Sequence, residues 1–194
     1  MRRRSSQIPK VVLHGKRVFL RPPTPTDYRE FAALMQVSEP VLREFSAKFQ
    51  GRPQFNDYLS RCQRDDYHGF LICRQADGVV VGNINLFHLI RQSLQSATVG
   101  YFVGAPHMRQ GYAREALRLL LRFAFRKLKL HRIEANIRPG NLPSLALVRR
   151  AGFASEGLSP RYLKIRGQWR DHERWAILVE NWRVAKDARD PDHL

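Results

Sequence analysis

The strongest structural signal in the chain lies between Val99 and Glu115, which reads V-G-Y-F-V-G-A-P-H-M-R-Q-G-Y-A-R-E. Its first residues are β-branched, aromatic or glycine, and after Gly111 the apolar positions change from alternate to helical spacing. The run therefore predicts a strand that leads through a short loop into a helix. Gly104 and Gly111 bracket the loop, Gly111 lets the backbone pass close to a ligand, and the first helical turn offers free N–H groups. We expect this loop to bind an anion, most naturally a pyrophosphate.

Two well-known phosphate loops do not fit this run. A P-loop requires G-x-x-x-x-G-K-[ST], whereas Gly104 and Gly111 have a different spacing and Tyr112 and Ala113 follow the second glycine. A dinucleotide fingerprint, G-x-G-x-x-G after the first strand of a parallel unit, is also absent from the sequence. An ordinary strand-loop-helix joint remains an alternative at this point, because short motifs are weak evidence.

Length and composition indicate one domain without stabilising cross-links. The 194 residues are enough for a full core, and we expect a mobile basic arm at 1–9, a single domain at 10–182 and a charged tail at 183–194. Cys62 and Cys73 match no metal or disulfide pattern, which favours a reducing compartment and predicts no metal. The sequence contains neither the apolar core of a signal peptide nor a stretch of roughly 20 apolar residues. We expect a cytoplasmic protein without a membrane partner.

The charge balance predicts anionic partners without identifying them. The sequence carries 34 Lys and Arg against 17 Asp and Glu, a formal charge of +17. Such a field concentrates coenzyme phosphates, RNA and acidic proteins alike. In the helix after Gly111, four arginines recur every four residues, and this face is either solvated or a surface for RNA or the ribosome. They are Arg114, Arg118, Arg122 and Arg126.

Periodicity along the chain predicts strands and helices in a mixed arrangement. The predicted strands cover 17–21, 70–74, 79–87, 97–103, 131–138, 154–165 and 169–179, with a short strand within 10–14. The predicted helices cover 27–37, 40–48, 55–65, 112–129 and 142–150, the first three with Thr26 and Asn56 among their caps. The helix at 112–129 presents apolar positions to the sheet, namely Ala113, Ala116, Leu117, Leu120, Ala124 and Leu128.

A second motif follows the loop at a suitable distance. Asn141-Leu142-Pro143-Ser144 lies after a predicted strand, and Gly152-Phe153 follows the next short helix. The loop at 108–113 resembles the acetyl-CoA loop of the GNAT superfamily of N-acetyltransferases, [QR]-x-x-G-x-[GA], and the second motif is similar to the other half of that cofactor site. Two residues depart from the family frame. Met108 stands where Gln or Arg is usual, and Arg109 where many members have Gly.

The resemblance narrows towards one branch of the superfamily. The strings Y-L-K-I-R-G-Q-W-R-D-H-E-R, from Tyr162 to Arg174, and H-R-I-E-A-N-I-R-P-G-N-L-P-S, from His131 to Ser144, look like ribosomal-protein-alanine N-acetyltransferases, the RimJ-like enzymes. This resemblance implies an α/β (α+β) fold with a central mixed, mostly antiparallel twisted sheet of about seven strands flanked by helices. It also implies a splay between the fourth and fifth of these strands.

The same resemblance implies acetyl-CoA as co-substrate and an acetyl transfer to the α-amino group of a protein N-terminus, in a ribosomal protein for the best-known members. Asn141 then contacts the pantetheine arm, and Ser144 lies near the thioester sulfur. The residues implied in binding the cofactor are Phe102, Val103, Gly104, Met108, Arg109, Gln110, Gly111, Tyr112, Ala113, Asn141 and Ser144.

The chemistry requires a neutral amine, a polarised thioester carbonyl and a proton for the leaving thiolate. A backbone N–H within 102–104 is expected to polarise the carbonyl, and Ser144 to donate to the sulfur. Some relatives carry a glutamate base five residues before the motif asparagine, where this chain has Asn136, and others carry one where Leu163 stands. Glu134 shares a strand face with Asn136, so we hypothesise that it acts through a water molecule.

Other arrangements for proton removal stay open. Glu134 has an equally good interpretation as a surface carboxylate paired with Arg132 or Arg138. His88, Asp171 and His172 are further candidates, each more typical of a structural role. A terminal α-amine has a pKa near 8, so about a fifth is neutral at pH 7.4. Ordered water held by Asn83, Asn85 or Asn136 is then a sufficient acceptor.

Two other functions compete with N-terminal acetylation. One keeps the cofactor and changes the acceptor to a small amine such as a polyamine, an aminoglycoside or an amino acid. The other is a ribosome-assembly or RNA-binding factor on a GNAT scaffold, favoured by the arginines of the predicted long helix and by the basic arm. The glycine, asparagine and serine of the two motifs, Gly111, Asn141 and Ser144, oppose the second alternative because a non-catalytic scaffold does not need them.

Overall fold

A single mixed sheet of eight strands organises the molecule in the computed structural model, which describes residues 12–182. The predicted arm at 1–9 and tail at 183–194 lie outside the described residues. All neighbouring strands pair antiparallel except the fifth and sixth in sequence, which are parallel. The strands are β1 Leu13–His14, β2 Val18–Arg21, β3 His68–Arg74, β4 Val80–Ile90, β5 Ser96–Val103, β6 Arg132–Ile137, β7 Ala154–Ile165 and β8 Gln168–Leu178.

The order across the sheet is β1-β2-β3-β4-β5-β6-β8-β7, which confirms the predicted α/β class and the mostly antiparallel sheet. The count is eight rather than about seven because the short segment Leu13–His14 pairs with Phe19 and Leu20 of β2. The helices are α1 Tyr28–Leu42, α2 Arg52–Arg61, α3 Tyr112–Arg122 and α4 Leu142–Arg150.

The start of the first helix differs from the sequence prediction. The capping residue is Thr24, which precedes a 3-10 turn at Pro25–Asp27, and not Thr26. Asp27 accepts from Thr24 N at 2.6 Å and from both terminal nitrogens of Arg21 at 2.8 and 2.6 Å. Burial alone would raise the pKa of Asp27, but these donors hold it below its ordinary value. The ion pair thus fixes α1 to the end of β2.

The second helix also begins earlier than predicted. It starts at Arg52 after Gly51, which has a φ of 73°, rather than near Asn56. Pro53 lies in its first turn, where the missing N–H of proline is no loss. The predicted separate helix over 40–48 is also wrong, because α1 continues through Pro40 to Leu42 and turns follow.

The long helix after Gly111 changes its geometry near its end. Regular α-helix stops at Arg122, and a π-helical turn follows at Phe123–Lys127, where Leu128 N donates to Phe123 O at 3.1 Å. The wider turn buries Phe123 and Phe125 together. The predicted core positions Ala116, Leu117, Leu120 and Ala124 are fully buried, whereas Ala113 and Leu128 are partly exposed.

Two hydrophobic clusters cover the two faces of the sheet. The larger contains the inward residues of α3 and α4 and one face of the strands, including Val99 and Ile133. The smaller contains α1 and α2 residues such as Phe31 and Tyr58, with Leu71 from β3. The sheet is therefore held from both sides, and β5 and β6 are interior strands near its middle. Among the described residues, no helix is long and apolar enough to cross a membrane.

Candidate active site

The ladder between β5 and β6 is short, and the strands separate beyond it. Their parallel pairing runs from Ser96 opposite Arg132 to Thr98 opposite Glu134. Strand β5 nevertheless continues beside β4 as far as Val103. The second half of β5 therefore has no strand on its β6 side, which confirms the predicted splay.

Backbone N–H groups of β5 point alternately towards β4 and into this gap. Gly104 N donates to Val81 O at 2.9 Å, so the N–H of Phe102, two residues earlier, also points towards β4. The N–H groups of Tyr101 and Val103 consequently face the gap, where they can polarise a carbonyl. Of the predicted donors only Val103 has this direction, and Tyr101 is an addition that the sequence analysis missed.

The loop that follows β5 has the geometry of an anion site. Arg109 and Gly111 have φ values of 60° and 81°, which turn successive N–H groups towards one side. The first intrahelical bond runs from Glu115 N to Gly111 O at 3.2 Å. The N–H groups of Tyr112 and Ala113 therefore have no intrahelical partner, and the positive end of the α3 dipole adds to them.

Other predicted loop residues have structural roles that are now visible. A Cβ on Gly104 would lie 2.2 Å from Leu34 Cδ1, so this glycine allows β5 to pack against α1. Gln110 Nε2 donates to Pro106 O at 3.2 Å, which braces the loop. Met108 is partly buried, and its backbone N donates to Ala105 O at 3.4 Å. None of these contacts occupies the amides at 112 and 113, which stay available to an anion.

Arg17 adds a positive charge beside the loop, although it lies far away in sequence. Its Nη1 lies 3.2 Å from the position of a Cβ on Gly111, and its guanidinium sits 5.0 Å from the centre of the Tyr112 ring. Its backbone N donates to Glu115 Oε1 at 2.9 Å. The loop therefore combines free amides with a fixed cation, and no local pattern in the sequence indicates Arg17.

The second motif lies at the start of α4, next to the gap. Asn141 Oδ1 accepts from Ser144 N at 3.2 Å, so Asn141 caps the helix. Ser144 Oγ lies 2.6 Å from the hydroxyl of Tyr101 on β5. Burial raises the pKa of Tyr101 to about 12, which keeps the phenol protonated. The two hydroxyls form a chain that can carry a proton towards the gap.

Glu134 and Asn136 lie on the same face of β6 but in different surroundings. Glu134 accepts from Arg132 Nε at 2.8 Å and from Arg174 Nη2 at 2.9 Å, so each carboxylate oxygen has an arginine partner. Asn136 lies beyond the last residue paired with β5, and its Oδ1 is buried without a hydrogen-bond partner in the described part of the chain. An orphan acceptor at a gap is suited to a ligand N–H or a water molecule.

The remaining base candidates are held in local structure. His172 is 3% exposed, its Nδ1 lies 3.0 Å from Arg170 O, and burial lowers its pKa, so it is neutral. Asp171 Oδ1 accepts from Arg161 N at 2.7 Å within the last hairpin. His88 is exposed against the ring of Phe87.

A cavity of about 500 Å³ opens on the α1 and α2 side of the sheet and reaches β5 at Gly100, Tyr101 and Phe102. Its wall is mainly aromatic and includes Phe31, Phe49, Phe55, Tyr58 and Phe87. Its polar groups include the amides of Asn83 and Asn85, and Tyr58 OH donates to Asn85 Oδ1 at 2.9 Å. Asn83, Asn85 and His88 of this cavity were named in the sequence analysis. The aromatic residues were missed, because they come from separate segments and share no local pattern. Within the described residues, no group of three or more His, Cys, Asp or Glu suits a metal ion.

The sequence model described as Acetyltransferase (GNAT) domain matches residues 17–154, more than half of the chain. The chain belongs to the GNAT acetyltransferase family. The GNAT relative YjcK of Bacillus subtilis, a probable N-acetyltransferase, is 37% identical over 175 residues, covering 86% of this chain and 97% of the relative. The ribosomal protein uS5-alanine N-acetyltransferase of Escherichia coli is 37% identical over 103 residues, 53% of each chain.

A solved structure of a GNAT relative has the same architecture. Mycobacterium smegmatis RimJ in complex with CoA-disulfide is 28% identical and superposes with a TM-score of 0.83, over 93% of this chain and 95% of that one. GNAT enzymes use acetyl-CoA, which is therefore the co-substrate of this N-acetyltransferase. The residues fit it, because free amides beside Arg17 suit a pyrophosphate and the unpaired edge of β5 suits the amide-bearing pantetheine arm.

We expect Gly111→Val to lower the affinity for acetyl-CoA at least about tenfold, or about 1.4 kcal/mol. A β-branched residue is strained at a φ of 81° and turns the amides at 112 and 113 away. Gly111→Asn is the matched control, since asparagine tolerates this conformation and should keep most of the binding. Met108→Gln should change little. Calorimetric titration measures all three, and a large gain from Met108→Gln would contradict the dominance of the backbone amides.

Ser144→Ala should lower kcat by about ten- to a hundredfold, and Tyr101→Phe by about three- to tenfold, with the KM for acetyl-CoA little changed. The expected magnitudes assume that Ser144 is the hydroxyl next to the leaving sulfur and that Tyr101 supports it through their 2.6 Å contact. Steady-state kinetics of thiol release test both variants. An unchanged kcat for Tyr101→Phe would exclude the hydroxyl chain.

For Glu134→Gln we expect an unchanged pH–rate profile and a lower melting temperature, because its two oxygens already bind Arg132 and Arg174. Glu156→Gln is the control, since Glu156 is the other carboxylate partner of Arg132 and lies in β7. A profile that loses one ionisation only in Glu134→Gln would instead support a water-relayed base at this residue.

Proposed function

We propose that this chain transfers the acetyl group of acetyl-CoA to the α-amino group of a protein N-terminus, by direct attack in a ternary complex. The observation that carries the proposal is the position of the aromatic cavity. It meets the splayed edge of β5 at Gly100 to Phe102, on the sheet face opposite α3. An acceptor and a thioester can therefore approach the same backbone from two sides.

The cavity suits the end of a peptide chain. Its volume of about 500 Å³ accommodates a terminal residue and the next one, and its mouth is open to solvent. Asn83 and Asn85 offer amide groups to the peptide backbone, while the aromatic wall accepts a small side chain. A relative supports a protein N-terminus as the acceptor, since the E. coli enzyme is named for alanine acetylation of ribosomal protein uS5.

In the proposed reaction, the neutral amine attacks the thioester carbon while Tyr101 and Val103 N–H groups stabilise the developing oxyanion. The C–N bond forms, the C–S bond breaks, and Ser144 donates its hydrogen bond to the departing sulfur with Tyr101 OH behind it. The nitrogen releases its proton to water, and a proton from solvent reaches the sulfur through the two hydroxyls and completes the thiol. The buried acceptor Asn136 Oδ1 accepts from that water or from the amine in this proposal. With an α-amine pKa near 8, this release needs no strong base.

The charges that line the aromatic cavity do not favour a small acceptor with several positive charges. Its only carboxylate among the described lining residues is Asp66, which pairs with Arg64 at 2.5 Å. Arg61 of the wall pairs with Asp57 at 3.2 Å. The wall therefore offers no unpaired carboxylate to attract a polyamine or an aminoglycoside.

The test is thiol release from acetyl-CoA with a panel of acceptors. Short peptides with N-terminal Ala or Ser should be acetylated, and the same peptides with a blocked α-amine and an internal lysine should not. Activity confined to polyamines, aminoglycosides or free amino acids would replace the proposal by small-amine acetylation. Binding to ribosomal RNA with a steep salt dependence and no thiol release would favour a non-catalytic factor.

A further inference from the structure

A second cavity, of about 430 Å³, lies beside the first and is lined mainly by cationic side chains. It is formed where the end of α1, the end of β6 and the β7–β8 turn meet. Its lining consists of four arginines, one glutamate and one isoleucine: Arg43, Glu44, Arg138, Ile165, Arg166 and Arg170. Neither of the two cofactor motifs contributes to it.

Two of these arginines hold the segment that separates the cavities. Arg138 Nη1 donates to Glu44 O, and its guanidinium lies 5.8 Å from the Phe45 ring centre. Arg166 donates to Ser46 O at 3.1 Å and pairs with Glu39 Oε1 at 2.7 Å. The segment 42–47 is thus fixed to the sheet and the last hairpin.

This segment forms a wall of both cavities. Leu42, Ser46 and Ala47 line the aromatic cavity, whereas Arg43 and Glu44 line the cationic one. Because one short segment borders both cavities, a peptide that runs from the aromatic cavity past this segment would reach the cationic one within a few residues, at about 3.3–3.6 Å per residue.

The cationic cavity carries positive charge that the protein does not neutralise. Among the described residues, the side chains of Arg43 and Arg170 form no ion pair, and the Arg170 guanidinium donates to the amide oxygen of Gln168. Glu39 compensates Arg166, and Glu44 offsets one more arginine. Two charges remain, which favours a ligand with one or two carboxylates.

We infer that this cationic cavity binds acidic side chains of the acceptor, a few residues after its N-terminus. The inference rests on the proposed acetylation of protein N-termini and names the class of sequence that is preferred. A carboxylate is the matching ligand for a guanidinium group, because the two can form bidentate hydrogen bonds, and this cavity offers several guanidinium groups. A peptide is favoured over RNA because the cavity is small, contains Glu44 and adjoins the acceptor cavity.

The test compares two peptides that share an N-terminal Ala and differ only at positions three to six. The acidic peptide carries Asp and Glu at these positions, and the neutral peptide carries Asn and Gln. The acidic peptide should have a KM about three- to tenfold lower, with a similar kcat, because partly exposed ion pairs contribute modestly. This advantage should shrink as salt rises from about 50 to 300 mM, since salt screens exposed charges.

The double variant Arg43→Gln/Arg170→Gln should lose the preference for the acidic peptide. Its KM for the neutral peptide and for acetyl-CoA should be unchanged. These two arginines are chosen because they do not hold the segment at 42–47. Arg118→Gln/Lys127→Gln removes the same charge from exposed positions of α3 and its π turn, and should keep the preference.

Each outcome distinguishes the two proposals. Acetylation of acidic and neutral peptides with equal KM would overturn the cationic subsite and leave N-terminal acetylation intact. Acetylation of no peptide would overturn both. Inhibition by an RNA oligonucleotide that disappears in Arg43→Gln/Arg170→Gln, without any preference for acidic peptides, would assign the cavity to RNA instead.

Discussion

The candidate active site depends on backbone amides of β5 that have no neighbouring strand to pair with. Beyond Thr98 the ladder to β6 ends, and Tyr101 and Val103 present N–H groups to a gap. A buried amide without a partner costs about 1–3 kcal/mol. The cores on both faces of the sheet offset this cost, because they hold β5 and β6 apart at one end and together at the other. A ligand with its own amides and carbonyls completes the edge.

The sequence was informative where function depends on local chemistry. Gly111 directly precedes a helix, as predicted, and Asn141 directly precedes the helix predicted at 142–150 and caps it. The strands predicted at 70–74 and 79–87, and at 154–165 and 169–179, were also confirmed and form two hairpins, since alternation is read directly from neighbouring positions. Each of these features depends on a few consecutive residues, so it can be predicted without knowledge of the tertiary structure.

Features that join distant segments were not predictable in the same way. The pairing of Tyr101 with Ser144 spans 43 residues and became visible only when β5 lay against α4. Thr24 rather than Thr26 caps the first helix because Asp27 is held by Arg21 from the neighbouring strand. The aromatic cavity likewise combines separate segments between positions 31 and 102, and the cationic cavity combines segments between positions 43 and 170. No periodic pattern marks such convergence.

Arg109 gives the cofactor loop a property that glycine would not. It stands at a φ of 60°, where a residue with a side chain is strained by roughly 1 kcal/mol and glycine is not. Glycine, however, would leave the loop with many more accessible conformations. With arginine at this position, the backbone strain lowers the stability of the fold, and the unliganded loop has fewer accessible conformations. Less conformational entropy is then lost when a phosphate arrives, so the loop is preorganised at the expense of fold stability.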